Sequence, residues 1–366
     1  MARRIGKEYK KAVYREYTDD TFRWLKNRTA DEQHLGILGP VLRAAVGDTI
    51  QVVFKNNAGR PYSMHPHGVF YSKEHEGVPS YGGMSGMGAG MGGNTAAEGG
   101  GGSVAPGLTW TYMWEVPERA GPGPNDGSSI LWMYHSHVDE NADVNAGLVG
   151  PILITRAGGY AASTTRPKDV TREFVVLFAI FDENSSHYLQ ENIATYMGGV
   201  SANGTVGNTD ASIDELLMDP EFRMSNQKHA VNGFLYGNLQ GLHMTVNETV
   251  RWHVLTVGSE LDLHGVHWHG QTLLYDGHRV DAVELIPASM KTLDMRPDDP
   301  GTWLFHCHTN HHIVAGMTAT FDVEPCLSPC PFAEPPPPAF SSAAKPGQGF
   351  LFFISSALLS LFIVSL

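Results

Sequence analysis

The stretch WLFHCHTNHHIVAGM, residues 303–317, places four histidines around one cysteine at the end of an apolar segment. Apolar and polar positions alternate over residues 301–307, which predicts a β-strand. Neighbouring side chains of a strand point to opposite faces, so Cys307 lies on one face and its two flanking histidines lie on the other. One thiolate, two imidazoles and a weak axial thioether are the ligands of a blue, or type 1, copper site. The predicted ligands of such a site are Cys307, His264, His312 and Met317.

Three further His-x-His pairs match the pair that flanks the cysteine. In an extended strand the two histidines of a pair point the same way, and imidazole is a good ligand for copper. A single pair is most often a pair of ordinary polar residues, but four pairs placed symmetrically in two halves favour a shared metal site. The sequence therefore predicts that eight histidines hold three coppers. These are His65, His67, His135, His137, His267, His269, His306 and His308.

Strand-like alternation recurs along the chain, for example at residues 49–54 and 250–257. Turn clusters rich in Gly, Pro and Asp separate such segments, and long amphipathic helical patterns are scarce, so the predicted class is an all-β sandwich. A composition break at residues 157–167 divides the chain, and each half repeats the same order of parts. We expect two homologous domains, at residues 1–157 and 168–325.

Other segments fall outside this repeat. Residues 81–102 are rich in Gly and Met, which predicts a mobile surface loop in the first domain. A Pro-rich linker is expected at residues 326–349. The apolar run at residues 350–366 is short for a membrane-spanning helix, and the small residues before it favour a lipid-anchor (GPI) signal over a tail-anchoring transmembrane helix.

Composition bears on location and on partners. Sequons for N-glycosylation begin at Asn27, Asn184, Asn203 and Asn247 and indicate the secretory pathway. The residues after Met1 are charged and show no signal peptide. We expect a glycoprotein on the extracellular face of the plasma membrane, held there by its C-terminal tail. A formal net charge of -13 argues against nucleic acid as a partner, because a phosphate-binding surface needs clustered Lys and Arg that this sequence does not show.

Several segments resemble one known family. They are HPHGVFYSKEHEG at residues 65–77, LWMYHSHVDENADVNAGLVGPILIT at 131–155, HAVNGFLYGNLQGL at 229–242, DLHGVHWHG at 262–270 and the stretch at 303–317. They resemble the first and last domains of the ceruloplasmin and hephaestin branch of the multicopper oxidases, over nearly all of residues 4–324. The resemblance implies two cupredoxin-like Greek-key β-sandwich domains, without the four middle domains of that branch.

The resemblance also implies how the copper ligands are shared out. The type 2 copper would be bound by His65 and His267, one type 3 copper by His67, His135 and His308, and the other by His137, His269 and His306. With the type 1 copper, this makes four coppers in each functional unit. Such a protein takes four single electrons from a reducing substrate at Cys307 and passes them through His306 and His308 to the trinuclear cluster. Dioxygen is reduced to water there.

Departures from the family bear on the substrate. Where the family has a carboxylate before the last type 1 histidine, this chain has His311, and five residues before His229 it has Met224 in place of Glu. Fe(II) prefers oxygen ligands, whereas imidazole and thioether suit softer ions such as Cu(I). We therefore expect a substrate-metal site at His229, His311 and Glu221. Cu(I) or a small organic reductant is expected to be a better substrate than Fe(II). Asp139 is a candidate for proton supply, by position only.

The cysteines also depart from the family. Its disulfide beside the His-Ser-His strand is absent, since Ser129 and Thr155 occupy the two positions, and losing a bridge costs about 2–5 kcal/mol unless it is compensated. Cys326 and Cys330 are expected to pair with each other instead.

Other functions and assemblies stay open. A copper nitrite reductase also has two cupredoxin domains, but it needs only three histidines at one type 2 copper and has its blue site in the first domain. A non-enzymatic copper-binding or storage protein of the cell surface needs no blue site. In ceruloplasmin the first and last domains meet by closure of a ring, so we expect a homotrimer of this chain with clusters between subunits. Closure of both halves within one chain is the competing arrangement.

Overall fold

The protein is described by a computed structural model over residues 4–79, 100–160, 166–201, 204–207, 209, 211–259, 262–327, 330 and 359–365. Most of the Gly- and Met-rich segment at residues 81–102 lies outside the described residues, as does the sequon at Asn203. The same holds for most of the linker at residues 326–349 and for residues 350–358.

The described part of the N-terminal half is a sandwich of two sheets. Its strands are β1 Arg15–Glu16, β2 Leu42–Ala45, β3 Thr49–Lys55, β4 His65–Pro66, β5 Thr109–Glu115, β6 Ser129–His135 and β7 Val149–Thr155. One sheet contains β3 and β5, and the other has the order β2-β7-β6-β4. Along β3 the burial alternates as predicted, because Ile50, Val52 and Phe54 face the core. Tyr112 and Trp114 of β5 belong to the same core cluster.

The C-terminal half is a second sandwich and surrounds an aromatic core. Its strands are β8 Arg172–Asp182, β9 Gln227–Val231, β10 His243–Thr245, β11 Val250–Leu255, β12 His264–Trp268, β13 Leu273–Tyr275, β14 His278–Val280, β15 Ala282–Leu285, β16 Met290–Met295, β17 Gly301–Cys307 and β18 Thr318–Glu324. The sheets have the orders β10-β18-β17-β12-β15 and β14-β13-β16-β11-β8-β9. The ring of Trp252 lies 5.7 Å from that of Trp268 and 5.1 Å from that of Phe305. These rings form an aromatic part of the core beside the end of the strand that carries Cys307.

An apolar interface joins the two halves. The interface cluster includes Leu35, Leu38, Leu131, Met133 and Leu153 from the first half and Val175, Leu177, Ala179, Phe181 and Leu255 from the second. Every second residue of β8 enters this cluster, while those between them enter the core of the C-terminal half. The strand predicted at residues 250–257 is found as β11, and all of its residues are buried because it lies between the two clusters.

Buried polar contacts cross the same interface. Arg251 donates to Ser128 Oγ at 2.7 Å and to Ser129 Oγ at 2.9 Å, and it pairs with both carboxylate oxygens of Asp294 at 2.6 and 2.9 Å. Ser129 and Thr155 are direct cross-strand partners in β6 and β7. Charge-assisted hydrogen bonds from Arg251 therefore act at one of the two positions where the family's disulfide is missing.

The C-terminal tail contributes strand β19, Leu359–Ser365, to the N-terminal sandwich. β19 lies between β1 and β3, antiparallel to β1 and parallel to β3. Val364 is fully buried, and Asn57 Nδ2 donates to Ser365 Oγ at 2.6 Å. This differs from the membrane anchor expected at residues 350–366, because the backbone of β19 finds its hydrogen-bond partners within the sheet.

The helices of the described residues are short and lie between strands. They are α1 Glu140–Ala146, α2 Leu189–Tyr196, α3 Ile213–Met218, α4 Pro220–Ser225 and α5 Asn310–Val314. In this part of the chain no helix combines the length and the apolar character needed to cross a membrane. A disulfide joins Cys326 to Cys330, with the Cα atoms 5.4 Å apart, as the sequence predicted.

Candidate copper centres

The predicted type 1 ligands converge at the end of β17. Cys307 is fully buried, and its Sγ lies 3.8 Å from His264 Nδ1 and 3.5 Å from His312 Nδ1. Met317 is also fully buried, and its backbone oxygen accepts a hydrogen bond from Cys307 N–H at 3.1 Å. Burial alone would raise the pKa of the thiol, but contacts to the two imidazoles and to Thr309 lower it to about 5. The thiolate, which is the form that binds metals, is therefore favoured near neutral pH.

A buried carboxylate fixes the orientation of His264. Asp262 Oδ1 lies 3.1 Å from His264 Nε2 and also accepts from Ile180 N–H at 2.9 Å, while Oδ2 accepts from Ser259 N–H at 3.0 Å. Burial disfavours the charged imidazole, but the hydrogen bond to Asp262 and the contact with Cys307 raise the pKa of His264. This support directs Nδ1 towards the sulfur, as an outer partner of a metal ligand does.

A second histidine group adjoins the type 1 group and shares His312 with it. The ring of His229 lies 5.1 Å from that of His312 and 5.2 Å from that of His311. One ligand atom from each of the three lies within 4.8 Å of the others. Burial first, and then the neighbouring His312, lowers the pKa of His229 to about 4 and keeps it neutral. Glu221, also predicted here, is an exposed residue of the first turn of α4 and is not part of this group in the described structure.

Four histidines of the first half form what we call the N-terminal half-site. They are His65, His67, His135 and His137. The Nε2 atoms of His67 and His135 are 3.1 Å apart, and the ring of His65 lies 5.3 to 5.5 Å from the other three. Burial is the main cause that lowers the pKa of His67 to about 3 and that of His135 to about 4. Both imidazoles are therefore neutral near pH 7, the form that binds metals.

The C-terminal half-site repeats this geometry. It consists of His267, His269, His306 and His308. The Nε2 atoms of His269 and His306 are 3.0 Å apart, and the ring of His267 lies 4.5 Å from His269 and 5.3 Å from each of the other two. Burial is the main cause that lowers the pKa of His267 and His306. The two half-sites are thus equivalent arrangements in the two halves.

Strand β17 connects the type 1 group to the C-terminal half-site. In its pairing with β12, Cys307 lies opposite Val266 and His306 lies opposite His267. Cys307 and Val266 belong to the buried core, while His306 contacts the half-site histidines on the other face. The structure therefore shows the two-faced arrangement predicted from the sequence.

The two half-sites do not meet in the described structure of one chain. Each ring contact among the eight histidines joins members of the same half-site. His308 is exposed, and His67, His137 and His269 are partly exposed. Each half-site is therefore open to the surface of the chain.

Two regions of the chain match models of multicopper oxidases, at residues 34–158 and 213–326, which together are more than half of it. The chain belongs to the multicopper oxidase family. Hephaestin of Mus musculus is 45% identical to it over 322 residues, 87% of this chain and 25% of that protein. Ceruloplasmin of Homo sapiens is 42% identical over 87% of this chain and 26% of its own length, and Ferroxidase HEPHL1 of Homo sapiens 41% over 89% and 26%. This multicopper oxidase chain spans about a quarter of the length of these relatives.

Solved structures show the same fold for this multicopper oxidase chain. A crystal structure of a multicopper oxidase aligns with 78% of this chain and 78% of its own, with a TM-score of 0.50 and 20% identity. A copper nitrite reductase from Nitrosomonas europaea aligns with 79% of this chain and 84% of its own, with a TM-score of 0.51 and 16% identity. At such identities the likeness concerns the cupredoxin-like fold alone, so the second structure carries no weight for nitrite reduction.

Copper, the cofactor of the multicopper oxidases, fits the residues brought together here. A buried thiolate with two imidazoles, together with a buried methionine of the same core cluster, suits a type 1 copper, and grouped neutral imidazoles suit copper. Among the described residues, Nδ1 of His137 and Nδ1 of His267 are buried without a hydrogen-bond partner. A buried polar atom of this kind needs an unseen partner such as a water or an ion.

Sequence reasoning missed one group at the N-terminal half-site. Glu140 Oε2 lies 3.3 Å from His137 Nε2, and Oε1 lies 4.0 Å from His135 Nε2. Asp139, the predicted proton donor, is exposed and caps α1 by accepting from Ala142 N–H at 3.3 Å. His137 lies before α1 and Glu140 is the first residue of that helix, so no helical period in the sequence predicts the contact.

Proposed function

We propose that this chain is the catalytic unit of an oxidase that passes single electrons from a reducing substrate to dioxygen. The observation that carries the proposal is the register of β17, in which the thiolate of Cys307 is joined through the backbone to His306 and His308. A storage protein has no need of such a connection between two different ligand groups. The proposal includes the domain limits 1–157 and 168–325.

The residues form two centres with different roles. Copper bound here would supply one-electron transfer at the type 1 group and reduction of dioxygen to water at the histidine cluster. Asp262 orients His264, and burial is the main cause that lowers the pKa of five of the eight half-site imidazoles and so favours their neutral form. Glu140, more than half exposed and next to His137, is placed to move a proton between solvent and the cluster.

The proposed cluster forms between two copies of the chain. Both half-sites are open to the surface and do not contact each other within the described chain, so a complete cluster needs a second source of histidines. Head-to-tail contacts between different surfaces close into a ring when the rotation permits it. We propose a homotrimer in which the N-terminal half-site of one copy faces the C-terminal half-site of the next, with the ligands assigned to type 2 and type 3 coppers as the family resemblance implies.

The proposed substrate is an electron donor that approaches through the His229, His311 and His312 group. This group adjoins the type 1 site and contains no carboxylate among the described residues. Imidazoles favour Cu(I) over Fe(II) as a metal substrate, and a small organic reductant needs no metal ligand at all.

Side-by-side measurement of oxygen uptake tests the function. The copper-loaded protein is given Fe(II), Cu(I), Mn(II) and a phenol under identical conditions, with metal-free protein as the control. Oxygen uptake with kcat/KM higher for Cu(I) or the phenol than for Fe(II) is expected. Fe(II) as the clearly best substrate would overturn the substrate assignment, and no uptake with any reductant while copper stays bound would favour storage.

The proposed location is outside the cell. The disulfide between Cys326 and Cys330 persists in an oxidising compartment, and the sequon residue Asn27 is exposed. Attachment to the membrane through the C-terminal tail belongs to the same proposal, and its conflict with β19 is open to direct measurement.

A further inference from the structure

Two methionines are exposed at the surface, on helices that also bury apolar side chains. Met218 at the end of α3 is 81% exposed and Met224 near the end of α4 is 58% exposed. The same helices bury Leu216 and Phe222 completely in one apolar cluster. Single exposed apolar side chains are common on proteins, but these two lie on consecutive helices and line one surface cavity of about 320 Å³.

The cavity is suited to a soft cation. A thioether is polarizable, turns freely about three bonds, and is a ligand that Cu(I) prefers. Asp182 and Arg223 also line the cavity, one of each charge, so the charged groups of the wall do not oppose a monovalent cation.

One lining residue connects the cavity to the histidine group beside the type 1 site. Gln227 lines the cavity, and its backbone oxygen lies 3.3 Å from Nδ1 of His229. The ring of His229 in turn lies 5.1 Å from that of His312, a type 1 ligand. Gln227 alone therefore separates the cavity from the first imidazole of the group that adjoins the type 1 site.

We infer that Met218 and Met224 form a surface capture site for Cu(I) as substrate, which delivers the ion to His229. The inference rests on the proposed function for the oxidation that follows, but binding at the two thioethers stands independently of it. Ag(I) has the same charge and ligand preference as Cu(I) without its redox chemistry, so it reports binding alone.

The test uses copper-loaded, full-length protein with ¹³C-labelled methionine methyl groups. Ag(I) should shift the methyl signals of Met218 and Met224, and the double variant Met218→Leu/Met224→Leu should bind Ag(I) about tenfold more weakly or worse. In the same variant, kcat/KM for Cu(I) relative to that for an organic reductant should fall by a similar factor. Leu keeps the apolar volume, and Met290→Leu in β16 is the matched control, for which neither quantity should change.

The possible results distinguish a failure of the capture site from a failure of the proposed function. Unshifted methyl signals in the unmodified protein, or wild-type Ag(I) affinity in the double variant, would overturn the capture site. Shifted signals together with no oxygen uptake on Cu(I) would support the capture site and overturn Cu(I) oxidation as the proposed function.

Discussion

At the level of single residues, Cys307 connects both parts of the proposed mechanism. Its sulfur is the thiolate of the type 1 group, and its backbone neighbours supply two imidazoles of the C-terminal half-site. Cys307→Ser keeps the size and the backbone but removes the thiolate. We expect the variant to lose the intense visible thiolate-to-copper band and oxidase activity, and to keep the copper of the histidine cluster. His278→Gln, at an exposed histidine of β14, is the control and should remain blue.

Absorption spectra and copper-to-protein ratios check this prediction. A blue Cys307→Ser protein would rule out the type 1 assignment. Loss of all copper from the variant would instead show that the cluster cannot form without the thiolate, which the separate faces of β17 do not predict.

His34 gives the interface between the halves a dependence on pH. Its Nε2 accepts a hydrogen bond from Val175 N–H at 3.0 Å across that interface. Burial is the main cause that lowers its pKa from 6.5 to about 4; Arg28 and Arg172 lower it further, while Asp31 raises it. The folded protein therefore keeps His34 neutral, and protonating it at low pH disfavours the folded state.

The expected effect is a loss of stability in acid. The contribution of His34 is complete above pH 6.5 and is lost as the pH falls towards about 4. Its upper limit is about 3 kcal/mol in the free energy of unfolding. His34→Gln retains an acceptor that does not titrate, so urea unfolding of this variant should depend less on pH in that window than unfolding of the parent protein. Identical profiles for the two proteins would show that His34 is not responsible.

Among the structural elements, those nearest the type 1 site were predicted well. β17 was predicted at residues 301–307 and is found at Gly301–Cys307, because one of its faces contributes to a core and the pattern is local. β11 is buried on one face by the core of its own half and on the other by the first half, and no local pattern contains this second contact. The exposed pair Met218 and Met224 could not be predicted as a pair, since only the packing of α3 against α4 brings them to one cavity.

The tail illustrates a different ambiguity. A short apolar run is compatible with a buried strand, a helix or an anchor signal, and periodicity alone does not separate them. In the structure this run contains β19, which pairs with β3 along its whole length.

A charged side chain introduced into β19 tests whether this segment is a buried strand or a membrane anchor. Val364 is fully buried in the core of the N-terminal half, so Val364→Asp should lower the free energy of unfolding by about 2 kcal/mol or more. Leu327→Asp, at a position that is 82% exposed before the tail, is the control and should change it little. Urea unfolding measures both. An unchanged Val364→Asp protein, with a tail that partitions into detergent, would favour the anchor.

For the whole molecule, the contacts between halves constrain the assembly. The interface cluster and Arg251 hold the halves together within a chain, and the half-sites remain on its surface. In the proposed trimer, association of copies would bring an N-terminal half-site to a C-terminal one without rearranging this interface. The contact is between unlike surfaces, which is the kind that generates rings.

Mixing of two inactive variants tests the shared cluster. One variant carries His65→Ala and His67→Ala, and the other carries His306→Ala and His308→Ala. Each should be inactive alone, because every cluster in its ring lacks ligands. In a randomly mixed ring with equal amounts of both, an intact cluster forms where the second variant donates its N-terminal half-site to the first, and this should restore about one quarter of wild-type activity. The intact C-terminal half-site then comes with an intact Cys307, so electrons can reach it.

Mixing the first variant with one that carries His135→Ala and His137→Ala is the matched control, since both lack the same half-site and no pairing restores a cluster. Mass measurement must show that subunits have exchanged. Full activity in a monomer, or no recovery in rings that demonstrably contain both variants, would place the whole cluster within one chain.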